Sequence, residues 1–277
     1  MNEAYAELSE VRLHYVEEGE GPLVVLLHGF PEAWFGWRFQ IPALAQAGFR
    51  VVAPDLRGFN LSSKPTGVSA YELQHVAFDI KELIESLGES AARVAGHDWG
   101  GATAWELAMR HPEVVDRLAI LNSPHPLRFR SALRNPHQLK KSWYFGLFQL
   151  PLLPEKLLPR DDWAGLKQGF AKDARPGTFT PEDAARYVEA WEQPGAASAS
   201  VNYYRAAVRR RGARFVPIAA PTLVLWGDRD RYLLPELAQP PAAEVPDCEI
   251  VHFDASHWLH HDESDEVNRR LAEFFAP

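Results

Sequence analysis

Three residues far apart in this chain carry side chains suited to nucleophilic hydrolysis: Asp98, Asp230 and His257. Asp98 stands in Arg93-Val94-Ala95-Gly96-His97-Asp98-Trp99-Gly100-Gly101, where an apolar run ends at Gly96 and a helical pattern, Ala102 to Arg110, begins after Gly101. Strand, sharp turn and helix together lift the Asp98 side chain off the end of a sheet. Such a turn leaves no room for a Cβ two positions to either side, and Gly96 and Gly100 supply the small residues. The pattern is the G-x-S-x-G nucleophile elbow with Asp in place of Ser. A carboxylate is ionised at neutral pH, so it attacks a carbon bearing a leaving group without a base and forms an ester. Hydrolysing that ester needs a base to activate water and an acid to orient the base. On elbow folds the order along the chain is nucleophile, acid, histidine. Asp230 in Trp226-Gly227-Asp228-Arg229-Asp230 and His257 in Asp254-Ala255-Ser256-His257-Trp258 keep that order, each just past a predicted strand. A lone loop aspartate is usually a turn former and a lone histidine usually a surface group; three in sequence at strand ends outweigh both.

The elements that must position these residues alternate in type. Val11–Val16 alternates apolar and polar, as a half-buried antiparallel strand does. Leu23–Leu27, Phe49–Ala53, Val114–Leu121, Pro221–Trp226 and Glu249–Phe253 read as strands, and the first is apolar on both faces, as a parallel strand between helix layers must be. Trp37–Ala47, Tyr71–Leu87 and Glu263–Phe275 have helical spacing. The alternation predicts a mostly parallel, doubly wound sheet, with ligands bound at the carboxyl ends of its strands. From about Ser123 to Val216 the texture changes to Pro, Arg and aromatic residues with no buried β pattern. This stretch is expected to form a helical cap, residues 125–215, between core segments 1–124 and 216–277. Ala184–Trp191 and Ala197–Arg210 are its clearest helices, separated by Pro194-Gly195.

Composition bounds the partners. The 277 residues are 46% hydrophobic, enough for a sizeable core, and carry a formal charge of −8 without a basic run. Nucleic acid and anionic membrane surfaces are therefore poor partners on net charge. No apolar stretch is long enough to span a bilayer, the first ten residues do not resemble a signal peptide, and the single cysteine, Cys248, allows no internal disulfide. A soluble, cytoplasmic protein is expected; its oligomeric state is not set by the sequence. Asp228 is the near neighbour that competes with Asp230. His97 is expected to flank the elbow without reacting, His260 and His261 to face solvent, and Asp55 to tie a loop together. The histidines around His257 lack metal-ligand spacing, so no metal is expected. The oxyanion that forms on the ester needs donors: the backbone N–H of Trp99 and that of Phe30, in the loop after Leu23–Leu27.

Taken together, these segments resemble the α/β-hydrolase family and, within it, the epoxide hydrolases. The resemblance runs through His28-Gly29-Phe30-Pro31-Glu32, Trp34, Trp37-Arg38-Phe39-Gln40-Ile41-Pro42, Asp55-Leu56-Arg57-Gly58-Phe59, the elbow, Trp226–Asp230 and Ser256-His257-Trp258. It implies an epoxide and water as substrates, a vicinal diol as product, and no cofactor. It implies Asp98 as nucleophile, His257 as base and Asp230 as orienting acid, with Trp34 and Trp99 against the substrate. It further implies two cap tyrosines that hold the epoxide oxygen and protonate it on ring opening. Asn202-Tyr203-Tyr204-Arg205 points to Tyr204, and Ser142-Trp143-Tyr144-Phe145 points to Tyr144, with Tyr203 and Tyr187 as the competing choices. Asn60 stands where many relatives have Gly, with no mechanistic consequence expected. A haloalkane dehalogenase shares the Asp nucleophile, but one subgroup holds halide with Asn at the position of Phe30 and another with a cap Trp, for which Trp143, Trp163 and Trp191 are the candidates. Trp99, where fluoroacetate dehalogenases carry Arg, speaks against that group. A silent ligand receptor on this fold would have no need of a complete hydrolytic set.

Overall fold

The computed structural model describes residues 1–209 and 215–276. Eight strands form one sheet: β1 Asn2–Glu7, β2 Arg12–Glu18, β3 Leu23–Leu27, β4 Arg50–Pro54, β5 Ala92–His97, β6 Val115–Leu121, β7 Thr222–Gly227 and β8 Cys248–Phe253. Their order is β1-β2-β4-β3-β5-β6-β7-β8, and every pair from β4 onward is parallel. The antiparallel edge strand β1 carries no apolar signal. Only Ala6 of its six residues is buried, because one face of an edge strand meets water.

Period-two alternation divides the sheet between two helix layers. Val25, Leu27, Val94, Leu118 and Ile120 pack on one face with α2 (Leu73–Ser86) and α3 (Trp99–Arg110). Val24, Leu26, Ala95, Ala119 and Leu225 pack on the other with α1 (Gln40–Gln46) and α12 (Ser264–Phe275). Trp34–Trp37 is a single 3-10 turn, so the helix expected from Trp37 starts later, at Gln40. The short α11 (Leu259–Asp262) joins the β8 loop to α12.

Between β6 and β7 lie seven helices among the described residues: α4 Pro126–Ala132, α5 Pro136–Lys141, α6 Trp143–Phe148, α7 Leu153–Leu157, α8 Arg160–Asp173, α9 Pro181–Trp191 and α10 Ala196–Arg209. Of these, α9 opens on a reciprocal cap, in which the Thr180 side chain accepts from Asp183 N–H and the Asp183 carboxylate from Thr180 N–H. The expected end of the second clear helix, Arg210, lies outside the described residues, as do the other residues up to 214 and Pro277. The insertion has a small core of its own in Trp163, Phe170, Tyr187 and Trp191, closed by Trp258 from the sheet side.

The elbow sits at the carboxyl end of β5. A Cβ on Gly100 would lie 2.0 Å from the carbonyl oxygen of Leu27 and 2.5 Å from that of His28, both rigid backbone. The helix α3 packs this closely against β3 because nothing projects there. Gly100→Ala should therefore destabilise the fold by roughly 1–3 kcal/mol or more, read as a lowered urea midpoint; an unchanged midpoint would contradict the packing.

Candidate active site

Asp98 has φ 50° and ψ −117°, an uncommon conformation for a residue with a side chain. It is held there from three sides. Its N–H donates to Leu121 O (3.3 Å), and its carbonyl accepts from Ala102 N–H (2.9 Å) and from the Ser123 hydroxyl (2.8 Å). The Asp98 side chain then lies against Gly29, where a Cβ would come within 2.4 Å of its Cβ and 2.6 Å of Oδ1. There Oδ1 accepts the N–H of Phe30 at 2.9 Å. No hydrogen bond from Trp99 N–H to the carboxylate accompanies it among the described residues. The other oxygen, Oδ2, is 3.8 Å from His257 Nε2.

His257 is buried, and its Nδ1 is 2.7 Å from Asp230 Oδ2. The three residues singled out by order along the chain thus meet at one point. Three further groups hold Asp230: the N–H groups of Tyr232 (2.6 Å) and Leu233 (2.9 Å) on Oδ1, and Asn122 Nδ2 (2.6 Å) beside His257 on Oδ2. Asn122, at the end of β6 with φ 39°, also accepts the N–H of Gly227 through Oδ1 (2.8 Å). Sequence reasoning missed Asn122. Its signal was its place at a strand's carboxyl end, one residue before Ser123. The neighbouring Asp228 points away, to exposed His252 at 2.7 Å.

Burial works against charge on His257, but the Asp230 carboxylate, its hydrogen bond, and the carboxylates of Asp98 and Asp173 outweigh it. They push the imidazole up to about 9. Asp230 goes the other way: burial favours the neutral acid, yet His257, Asn122 and the Tyr232 N–H hold it below its ordinary value.

Two cavities meet here. One, of about 340 Å³, is lined by Phe30, Trp143, Leu147, Phe148, Leu166 and Phe170 among others. The second, of about 630 Å³, is lined by residues including Trp99, Phe129, Leu133, Phe145, Val208 and Leu233. Five residues belong to both: Asp98, Tyr144, Tyr204, Tyr232 and His257. The rings of Tyr144 and Tyr204 are 5.7 Å apart and nearly perpendicular. Burial, and then the nearby Asp98 carboxylate, raise both phenols well above the ordinary tyrosine value, so both keep their protons. The competing tyrosines are engaged elsewhere: Tyr203 donates to Arg57 O (2.8 Å) and Tyr187 to Glu32 Oε1 (2.8 Å). Tyr232, also missed, stands edge-on to His257 with ring centres 5.1 Å apart.

Three expectations need correction or completion. Trp34 lines neither cavity. Its backbone N–H donates to Asp55 Oδ1 (3.0 Å) and its ring packs on Phe35, so it braces a loop. Asp55 does tie that loop, accepting also from Asn60 (2.8 Å), itself at φ 38°. His260 and His261 do not face solvent; both are buried against the carboxylate of Glu32, at 3.2 and 2.8 Å. Arg38 Nη1 donates to His261 Nδ1, so His261 presents Nε2–H to Glu32. Burial would neutralise Glu32, but these histidines hold it well below its ordinary value. Glu32, His97 and His260 bring one donor atom each within 4.8 Å of one another, and among the described residues they form the one group placed to hold a metal.

A family model described as the α/β hydrolase fold matches residues 22–264. The chain is 42% identical to "AB hydrolase superfamily protein YfhM" of Bacillus subtilis, over 98% of this chain and 96% of that one. It is 39% identical to human "Epoxide hydrolase 4", over 96% of this chain and 76% of the relative. The solved structure of a Bacillus megaterium epoxide hydrolase in complex with an inhibitor superposes with a TM-score of 0.90 at 34% identity, covering 98% of this chain and 99% of that one. The chain belongs to the α/β-hydrolase family, with the mostly parallel eight-stranded sheet and the helical insertion between β6 and β7. Within that family its place is among the epoxide hydrolases.

The Asp230–His257 pair gives a pH test. A folded-state pKa raised from 6.5 to about 9 contributes stability that is complete below about 6.5 and is lost as pH rises through about 9. In thermal unfolding, the margin of wild type over Asp230→Asn should narrow across that window. A constant margin would show that His257 is not held protonated.

Proposed function

We propose that this protein hydrolyses epoxides to vicinal diols through an ester on Asp98. The observation that carries this reading is the junction of the two cavities, whose shared wall holds a carboxylate, a histidine and paired phenols. Because Phe30 N–H already holds Oδ1, the oxygen free to attack is Oδ2. Attack on a ring carbon breaks its C–O bond, and the electron pair goes to the ring oxygen. Tyr144 and Tyr204 flank that oxygen and supply its proton. A phenol is suited to this, since it is neutral at working pH yet acidic enough to protonate an alkoxide.

The ester neutralises Asp98 and so removes one of the charges that raise His257. His257 then passes its proton more readily to the tyrosinate left by ring opening, which restores the phenol, and as a neutral imidazole it takes a proton from water. The resulting hydroxide adds to the ester carbonyl, whose oxygen is Oδ1. The negative charge forms where the N–H of Phe30 lies and, as the carbonyl carbon becomes tetrahedral, within reach of the N–H of Trp99. Collapse breaks the bond from the carbonyl carbon to Oδ2, which leaves as the diol's alkoxide and takes the proton from His257; the new carboxyl group then gives its proton to His257 and is again a carboxylate. Asp230 stays ionised throughout and holds the ring. The helical insertion acts as a cap that brings both tyrosines over the sheet edge, with Trp99 against the substrate. The dehalogenase alternative is weaker: Phe30 has no side-chain N–H, the Trp191 indole N–H is bonded to Pro31 O, and a halide, which needs no proton donor, leaves the paired phenols at Asp98 without a task. The assembled Asp98, His257 and Asp230 argue against a silent receptor.

His257→Ala should stop the second step alone. Intact mass after incubation with an epoxide should show the protein plus one whole epoxide, mapped to Asp98. Unimpaired turnover in this variant would sink the assignment, and a mass gain equal to a haloalkane less its hydrogen halide would move the protein to the dehalogenases. Tyr144→Phe combined with Tyr204→Phe should slow ester formation about a hundredfold or more. A near-normal single-turnover rate would remove both tyrosines from the mechanism.

A further inference from the structure

The exposed apolar side chains are not evenly spread. Of the eleven large hydrophobic residues exposed among those described, six fall between residues 133 and 153: Leu133, Leu139, Trp143, Leu150, Leu152 and Leu153. Trp143 and Leu152 are each 67% exposed and Leu139 58%. Charge on the same stretch is equally uneven. Residues 126–157 hold six Lys and Arg and a single acid, Glu155, in a chain that has 29 Lys and Arg against 37 Asp and Glu. Glu155 is already paired with Arg205 at 2.5 Å. Arg130, Arg134, Lys140 and Lys156 form no ion pair among the described residues. Arg128 and Lys141 reach only carbonyl oxygens, of Glu236 and Asp230. None of these Lys and Arg is paired with a carboxylate among the described residues.

We infer that α4 to α7 form a surface that adsorbs to anionic lipid bilayers. Short helices carrying protruding Leu and Trp among cationic side chains lie in the headgroup layer with their apolar groups below it. The net charge of −8 does not prevent this. Screening confines each charge to about 8–10 Å at physiological salt, so a bilayer meets the local basic face and not the average. Position supports the assignment: Trp143 is both exposed and part of the wall of the smaller cavity, beside Pro154 and Leu157. An apolar substrate dissolved in the bilayer would meet that opening without crossing water. No helix among the described residues is long and apolar enough to cross a membrane, so attachment is peripheral. The benefit to catalysis rests on the epoxide reading, but adsorption itself does not, and it is measured without substrate.

The test is flotation of the full chain with phosphatidylcholine vesicles, with and without phosphatidylglycerol, at low and at high salt. Binding should be at least tenfold greater on the anionic vesicles and should fall steeply as salt rises. It should fall at least tenfold in Leu139→Glu with Leu152→Glu, and likewise in Arg134→Glu with Lys140→Glu. Both variants should keep wild-type turnover of a water-soluble epoxide, which shows that they are folded. Equal partition to neutral and anionic vesicles, or binding unaffected in both folded variants, overturns the proposal. So does absence of vesicle binding together with dimers in analytical ultracentrifugation that the same substitutions dissociate, since the face would then serve a second copy of the chain.

Discussion

The site depends on one backbone conformation, that of Asp98. A non-glycine residue at φ 50° and ψ −117° costs on the order of 1–3 kcal/mol and persists only where its surroundings impose it. Here they do, through the Ser123 hydroxyl and the first turn of α3 on its carbonyl, and through Leu121 on its N–H. The strain aims the carboxylate at the Phe30 N–H and sets its second oxygen toward His257. Relaxed helical or extended geometry would bury the side chain in α3 or turn it along the sheet. The close approach of α3 to β3, the bare Cα of Gly29 and the register of β5 on β6 all serve this one placement.

Charge is divided around that placement by environment. His257 lies among carboxylates and rises to about 9, while the tyrosines, buried and near the same carboxylate, are driven further from ionisation. One negative charge therefore helps to keep the protons on both phenols above the sheet and on the histidine beside it. In the proposed mechanism, loss of that charge on ester formation would free the proton when a base is required. The order of the two steps proposed above would then follow from the electrostatics of the resting site.

How much of this the sequence made legible follows from the range of the interactions. The elbow, the order Asp98, Asp230, His257 and the doubly wound core are local patterns or repetitions of one, and they could be read directly. Asn122 could not, because its role lies in bonds to Gly227 and Asp230, more than a hundred positions away. His260 and His261 looked like surface residues because nothing nearby in sequence explains burying them. The explanation is Glu32, more than two hundred positions earlier. Trp34 stood among the family's motif residues, and motif membership does not separate a loop brace from a cavity wall. Strand β1 was missed because its alternation has almost no apolar half.

The bonds that occupy Tyr187, Tyr203 and Trp191 have a consequence for traffic. Each runs from the insertion to the core and is buried: Tyr187 to Glu32, Tyr203 to Arg57 and Trp191 to Pro31. Lys141 adds a fourth, to the carbonyl of Asp230. Raising the insertion as a rigid flap would strand buried polar groups on both sides at once, and such orphaned groups are costly. The insertion is riveted rather than hinged. With the insertion fixed in this way, what reaches the carboxylate must fit the two cavities that converge on Asp98, so their shape and not the motion of a flap selects the substrate.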